Sequence, residues 1–163
     1  MRVPWLSALL VLLAACATHP TNAWNLAAGA SRQEVLSRVG QPLRVVPLDG
    51  GGERLQYSMQ PMGHYAFMVD LDAAGRVVRS RQVLTPAEFH RIEPGKWTRA
   101  DVEREFGPPA WVDGVASWNG PVMTYRWKQG NDPMFYWVYL DPQGMVRRAH
   151  PGVEFFNAPD DRF

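Results

Sequence analysis

The side chains able to carry chemistry are few and poorly arranged for it. Four histidines, His19, His64, His90 and His150, are spread over 163 residues. None stands in an H-E-x-x-H-like pattern, the spacing that puts two metal ligands and a base on one helix face. Asp70-Leu71-Asp72-Ala73-Ala74-Gly75 has the opening acids of a calcium loop, but its fifth position is Ala74 and its twelfth is Arg81, which repels the ion. A hairpin turn accounts for these residues, and Asp141-Pro142-Gln143-Gly144 repeats the outline without the second acid. There is no Gly-x-Ser-x-Gly elbow and no phosphate loop. Gly50-Gly51-Gly52, without a lysine or a strand-to-helix context, reads as a flexible turn. One cysteine, Cys16, excludes a disulfide framework and any cysteine-rich metal centre. The expectation is a protein without catalysis, metal or cofactor; a hydrolase here would need His64 or His150.

Recognition is easier to motivate. Tyr65, Phe67, Val69 and Leu71 match Met134, Tyr136, Val138 and Leu140 in a later stretch, and both sets suit a strand face turned to a core. The alternate positions differ. They are His64, Ala66, Met68 and Asp70 in the first stretch but Phe135, Trp137 and Tyr139 in the second. A ladder of three aromatics is either an anchor for a partner or a surface packed on the other half of the chain or on the tail with Phe155 and Phe156. Arg76, Arg79, Arg81, Arg147 and Arg148 form a second candidate, for anions or lipid headgroups, with a solvated strand face as the alternative.

The elements that must position these residues occur twice. Ser31, Gly40 and Pro42 precede Thr98, Gly107 and Pro109 by 67 positions, Tyr57 precedes Tyr125 by 68, and Asp72 and Gly75 precede Asp141 and Gly144 by 69. Ser31-x-x-Glu34 and Thr98-x-x-Asp101 are helix-opening boxes, Gly40 and Gly107 are exits, and Pro42 and Pro109 stop the helix resuming. Val35, Leu36 and Val39, like Val102 and Phe106, make an inward stripe. Thr85-Pro86-Ala87-Glu88-Phe89 opens a further short helix, with Phe89 and Ile92 inward. Strands are predicted at 54–60, 64–72 and from 76, and again at 122–128, 134–140 and 145–150. The predicted fold class is α+β: two tandem helix–helix–three-stranded antiparallel units, at 26–84 and 85–152, with a tail at 153–163. Units of this size have little core alone, so they are expected to pack together.

Composition agrees. The hydrophobic share of 46% and charged share of 20% are globular values, and the length suits one domain or two small ones. Seventeen basic against sixteen acidic residues leave +1, no basic field for nucleic acid.

The start of the chain reads as an address. Arg2 precedes an apolar run of about ten residues, roughly 15 Å as a helix, too short for a bilayer core of about 30 Å. Leu13-Ala14-Ala15-Cys16 resembles the lipobox of bacterial lipoproteins. The resemblance implies a signal peptide at 1–15, acylation of Cys16 and, with Ala17 rather than Asp next, the periplasmic face of the outer membrane. An ordinary signal cut near Ala15 is the alternative. Residues 16–25, polar and with a proline, read as a tether.

The stretch Ile92-Glu93-Pro94-Gly95-Lys96-Trp97-Thr98-Arg99-Ala100-Asp101-Val102, closing on Phe106-Gly107-Pro108-Pro109, resembles the signature of the SmpA/OmlA family, the BamE-like outer membrane lipoproteins. The likeness is good over about 85–150 and weaker over 26–84. Single-copy members are accessory subunits of the machinery that inserts outer-membrane barrels; this chain carries two copies. The tandem arrangement is also similar to that of the β-lactamase inhibitor protein. The resemblance implies an envelope protein as partner, in barrel assembly or envelope maintenance. The alternative is an inhibitor-like module that binds an envelope or secreted enzyme.

Overall fold

The structure, a computed structural model, describes residues 18–154. The leader expected at 1–15, Cys16, Phe155 and Phe156 lie outside the described residues. The helix-opening boxes form as their spacing requires. Helix α1 (Arg32–Val39) starts with the Glu34 amide donating to Ser31 Oγ at 3.3 Å and the Ser31 amide donating to the Glu34 carboxylate at 2.7 Å. A short helix, α2 (Pro86–Phe89), is capped by Thr85. Helix α3 (Arg99–Phe106) repeats the reciprocal box with Thr98 and Asp101, at 3.3 and 2.9 Å. Gly40 and Gly107 end the two long helices at φ +94° and +78°, a region that a Cβ disfavours. The paired tyrosines then have a purpose. The Tyr57 and Tyr125 hydroxyls donate to the Gly40 and Gly107 carbonyls at 3.1 and 2.8 Å, satisfying groups left open at a helix end.

Two four-stranded antiparallel sheets follow, each a meander in chain order. The first holds β1 (Arg44–Pro47), β2 (Glu53–Ser58), β3 (Ala66–Leu71) and β4 (Val77–Gln82). The second holds β5 (Trp111–Gly114), β6 (Pro121–Gln129), β7 (Asp132–Leu140) and β8 (Val146–Val153). The three-strand expectation is thus corrected to four, because β1 and β5 are four-residue edge strands with little burial to mark them. The strand expected from His64 begins at Ala66, and the His64 side chain meets Glu154, 3.2 Å away.

The bulges and turns of the two halves correspond. A bulge falls at Asp70/Leu71 and again at Tyr139/Leu140. Asp72 Oδ1 accepts from the Ala74 and Arg76 amides, and Asp141 Oδ1 from those of Gln143 and Met145. These are hairpin turns in which the aspartate carboxylate holds its own backbone. Gly52 and Gly120 correspond as well. A Cβ on either would lie 2.3 Å from the Leu71 carbonyl oxygen or 2.1 Å from that of Leu140. The third glycine of 50–52 is therefore a close-approach position rather than part of a flexible turn.

The tether expectation is also corrected. Pro20–Asn25 forms a 3-10 helix with Ala23 fully buried, and Ser80 Oγ donates to the Ala23 carbonyl at 2.6 Å. It is the counterpart of α2. Pro20 stands nine residues before Gly29 as Pro86 does before Gly95, and the Gly29 and Gly95 amides donate to Val77 and Val146 at 2.8 and 2.7 Å.

Val35 and Val39 of α1 meet Leu55, Tyr57, Phe67, Val69 and Leu71 in the first core. In the second, Phe89, Val102 and Phe106 meet Met123, Tyr125, Trp127, Tyr136, Val138 and Leu140. Ala66 and Met68, from the far face of the first sheet, join this second core. The layers therefore run helices, sheet, helices, sheet, with α2 and α3 held between the sheets.

The junction is polar beside that apolar contact. Glu105 receives Arg54 at 2.8 Å, Arg81 at 3.1 Å and Arg91 at 3.0 Å, while Arg54 also forks onto Asp70 at 2.6 and 3.0 Å. Gln56 Nε2 donates to the Glu103 and Arg104 carbonyls at 2.9 and 3.0 Å, and Arg54 to that of Arg104 at 3.1 Å. The first sheet thus caps the end of α3, supplying donors that its last carbonyls lack within the helix.

Candidate functional site

Side chains paired across neighbouring antiparallel strands share a face. The register Trp111↔Thr124↔Trp137↔His150 therefore puts Trp111, Trp137 and His150 on one side of the second sheet. Arg126↔Phe135↔Gly152 and Val122↔Tyr139↔Arg148 add their members to it. This is the side turned away from α2 and α3. Its rings form an unbroken strip. Trp111 meets Phe135 edge-on at 5.4 Å between centroids, Phe135 lies 5.8 Å from Trp137, and Trp137 lies 5.4 Å from His150. His150 stacks on Tyr139 at 5.4 Å, and Trp118 meets the other side of Tyr139 at the same distance.

Charge finishes one end of the strip. The Arg148 guanidinium sits 3.9 Å over the Tyr139 ring and 5.6 Å over Trp118, a cation–π arrangement. Trp118 is held in place by donating Nε1 to the Leu140 carbonyl at 2.7 Å. Position 152 is glycine because Trp137 lies across it: a Cβ there would come 2.2 Å from the indole. At the other end Arg126 donates to the Pro61 and Met62 carbonyls at 2.9 and 3.1 Å and to Glu154 at 2.5 Å, tying the β2–β3 loop to the sheet.

Phe135, Trp137 and Tyr139 are half-buried, whereas Val122 and Thr124 beneath them are buried. The strip floors the sheet and still faces outward. The corresponding face of the first sheet, with Arg54, Gln56, Met68 and Arg81, lies under α2 and α3. Among the described residues no helix packs on the strip. From the other half, the β2–β3 loop reaches the strip at its Arg126 end.

The arginine candidates do not form one site. Arg81, its side chain 9% exposed, is bonded to Glu88 and Glu105 between the layers, so its charge is already met inside the molecule. Arg79 is exposed, 3.8 Å from Glu88; Arg76 donates to the Gly29 carbonyl; Arg147 pairs with Asp141. Only Arg148 stands on the ring face. The histidines are likewise dispersed. His19 accepts from the Thr21 amide, His90 Nδ1 donates to the Pro86 carbonyl, His64 meets Glu154, and His150 lies among the rings. Among the described residues no three His, Cys, Asp or Glu gather as a metal site, and no helix is long and apolar enough to cross a membrane.

Sequence reasoning missed Trp111, Trp118, His150 and Arg148 as members of the strip. Trp111 lies on a strand it did not place, and Trp118 reaches the sheet from a loop. The other two follow from alternation along β8 once the bulge is counted.

No family model and no curated protein matches this chain. Among solved structures it is similar to a DUF4309 family protein, YjgB, from Bacillus subtilis, at 16% identity, covering 77% of this chain and 79% of that one, with a TM-score of 0.31.

Proposed function

We propose that this chain is a non-catalytic, lipid-anchored binding module of the outer membrane, facing the periplasm and built from two BamE-like units. It docks on another envelope protein, in barrel assembly or envelope maintenance, through Phe135, Trp137 and Tyr139. The observation that carries the reading is the ring strip on a sheet face over which, among the described residues, no helix packs. Clustered, rigid aromatics with an arginine are the composition of interface anchors. The anchor rests on Leu13-Ala14-Ala15-Cys16 and on acylation as a stable attachment.

Envelope cross-linking tests both parts. Trp137→Ala is expected to cut recovery of the cross-linked partner at least tenfold while lowering the melting temperature by no more than a few degrees. A collapse in stability would make the strip core instead. Incorporation of a palmitate analogue should vanish in Cys16→Ser; label that persists defeats the anchor. Membrane barrels among the captured proteins support the assembly reading, and a soluble hydrolase in their place supports the inhibitor-like one.

A further inference from the structure

A cleft of about 310 Å³ opens between α2 and the inner face of β7 and β8, walled by Pro86, Phe89, Trp127, Tyr136, Ala149 and Pro151. His90 and His150 line its mouth at the β8 edge, and His150 is the one residue the cleft shares with the ring strip; Phe135, Trp137 and Tyr139 do not line it.

The duplication shows why the space is there. In the first unit Ala23 lets the 3-10 helix settle onto β4, with Ser80 bonded to the Ala23 carbonyl. The next residue, Trp24, lays its indole edge-on against Tyr65 and Phe67, at 5.5 and 5.0 Å. In the second unit the same two positions are Phe89 and His90. Phe89 stacks flat on Tyr136 at 3.9 Å, and a ring where its twin has a methyl group holds α2 off the strands. His90 bonds back to Pro86 of its own helix at 2.9 Å, where Trp24 instead covers the sheet.

We propose that this cleft is a binding site for a free planar aromatic molecule of indole size, which packs beside Phe89 against Trp127, Tyr136 and Pro151 and does for the second unit what Trp24 does for the first. The volume is at the lower end of small-ligand sites, about 300–1,000 Å³, and the walls are the flat apolar and aromatic surfaces such sites use.

Indole itself is the probe, titrated into the chain while the Ile92 and Ala149 methyl signals are followed by NMR. Saturable shifts with a dissociation constant below about 1 mM are expected for a ligand of this size. His90→Trp restores the twin's arrangement at an exposed position and should abolish binding with the fold intact. Ala149→Leu fills the cleft and should weaken binding at least tenfold. Trp137→Ala, on the other face, should leave it unchanged, so this test and that of docking fail separately. Three outcomes overturn the proposal: shifts that never saturate, full affinity in a folded His90→Trp variant, or binding that arises only once residues 155–163 are deleted.

Discussion

Replacing Glu105 with alanine is expected to cost on the order of 4 kcal/mol of folding free energy, the usual consequence of removing one partner from a buried ion cluster. Four guanidinium groups converge on this carboxylate, Arg104 at 3.4 Å among them, and two, Arg54 and Arg81, have side chains only 6% and 9% exposed. Asp70 still holds Arg54, and Glu88 still holds Arg81 and Arg91, but each arginine is left with donors aimed at an empty site. Ala66 and Met68 tie the first sheet to the second core, so both halves should report the loss in one urea transition at pH 7. Two separate midpoints would show that the halves fold independently of this junction.

The same carboxylate sets an acid limit. Burial alone would push the Glu105 pKa up, but Arg54, with Arg81 and Arg91, overrides it and holds the group at about 2 against an ordinary 4.5. A depressed folded-state pKa stabilises above the unfolded value and is lost as pH falls through the folded one. The contribution is thus complete above about pH 5 and fades between roughly 4.5 and 2, on the order of 3 kcal/mol in all. Asp101, held down by the Thr98 amide, and Glu103, held down by Arg99 and Arg44 against its burial, act in the same direction. Urea midpoints at pH 6, 4 and 3 should fall steeply for the native chain and much less for Glu105→Gln. Equal slopes would mean that Glu105 is not depressed.

Phe106→Ala is the second large effect, about 4 kcal/mol. Phe106 is wholly buried among Phe89, Trp97 and Tyr125, at 5.3, 6.2 and 6.1 Å between centroids. Three rings around it, one stacked and two tilted, cannot all relax into the vacated volume. Val39 is its counterpart in the first unit, smaller and nearly as buried, so Val39→Ala should cost about 2 kcal/mol. Paired denaturation curves check both. Similar losses would show that the two cores are packed to the same tolerance in spite of their different contents.

The helix caps, the exit glycines and the inward strand faces were legible because each is decided by near neighbours in the chain. Ser31 finds Glu34, Thr98 finds Asp101, and alternation sorts Tyr136 from Trp137. The 3-10 helix was masked by polar residues, with Ala23 alone fully buried, although the nine-residue interval from Pro20 to Gly29 repeats that from Pro86 to Gly95. β1 and β5 offered no alternation to read. Arg81 illustrates the deeper limit. As an isolated strand residue it reads as a surface cation, and only the carboxylates of Glu88 and Glu105, supplied from the other unit's helices, make burial tolerable. The aromatic ladder was legible as a contrast between two copies, but its extension to Trp118 and Arg148 depends on how a loop folds back.

The way the two halves join has a direction. A sheet accepts the helices of its successor, so the contact is not self-complementary, and the described residues have unlike ends: helices at Pro20–Asn25 and α1, and the ring face of the second sheet. A third copy fused beyond Val153 in the same manner would set carboxylates like Glu88 and Glu105 against Phe135, Trp137 and Tyr139. The cations of that face are Arg148, over Tyr139, and Arg126, already paired with Glu154, in place of the Arg54 and Arg81 that meet them now. Growth by further duplication is therefore blocked at the second unit by the chemistry of its own last surface.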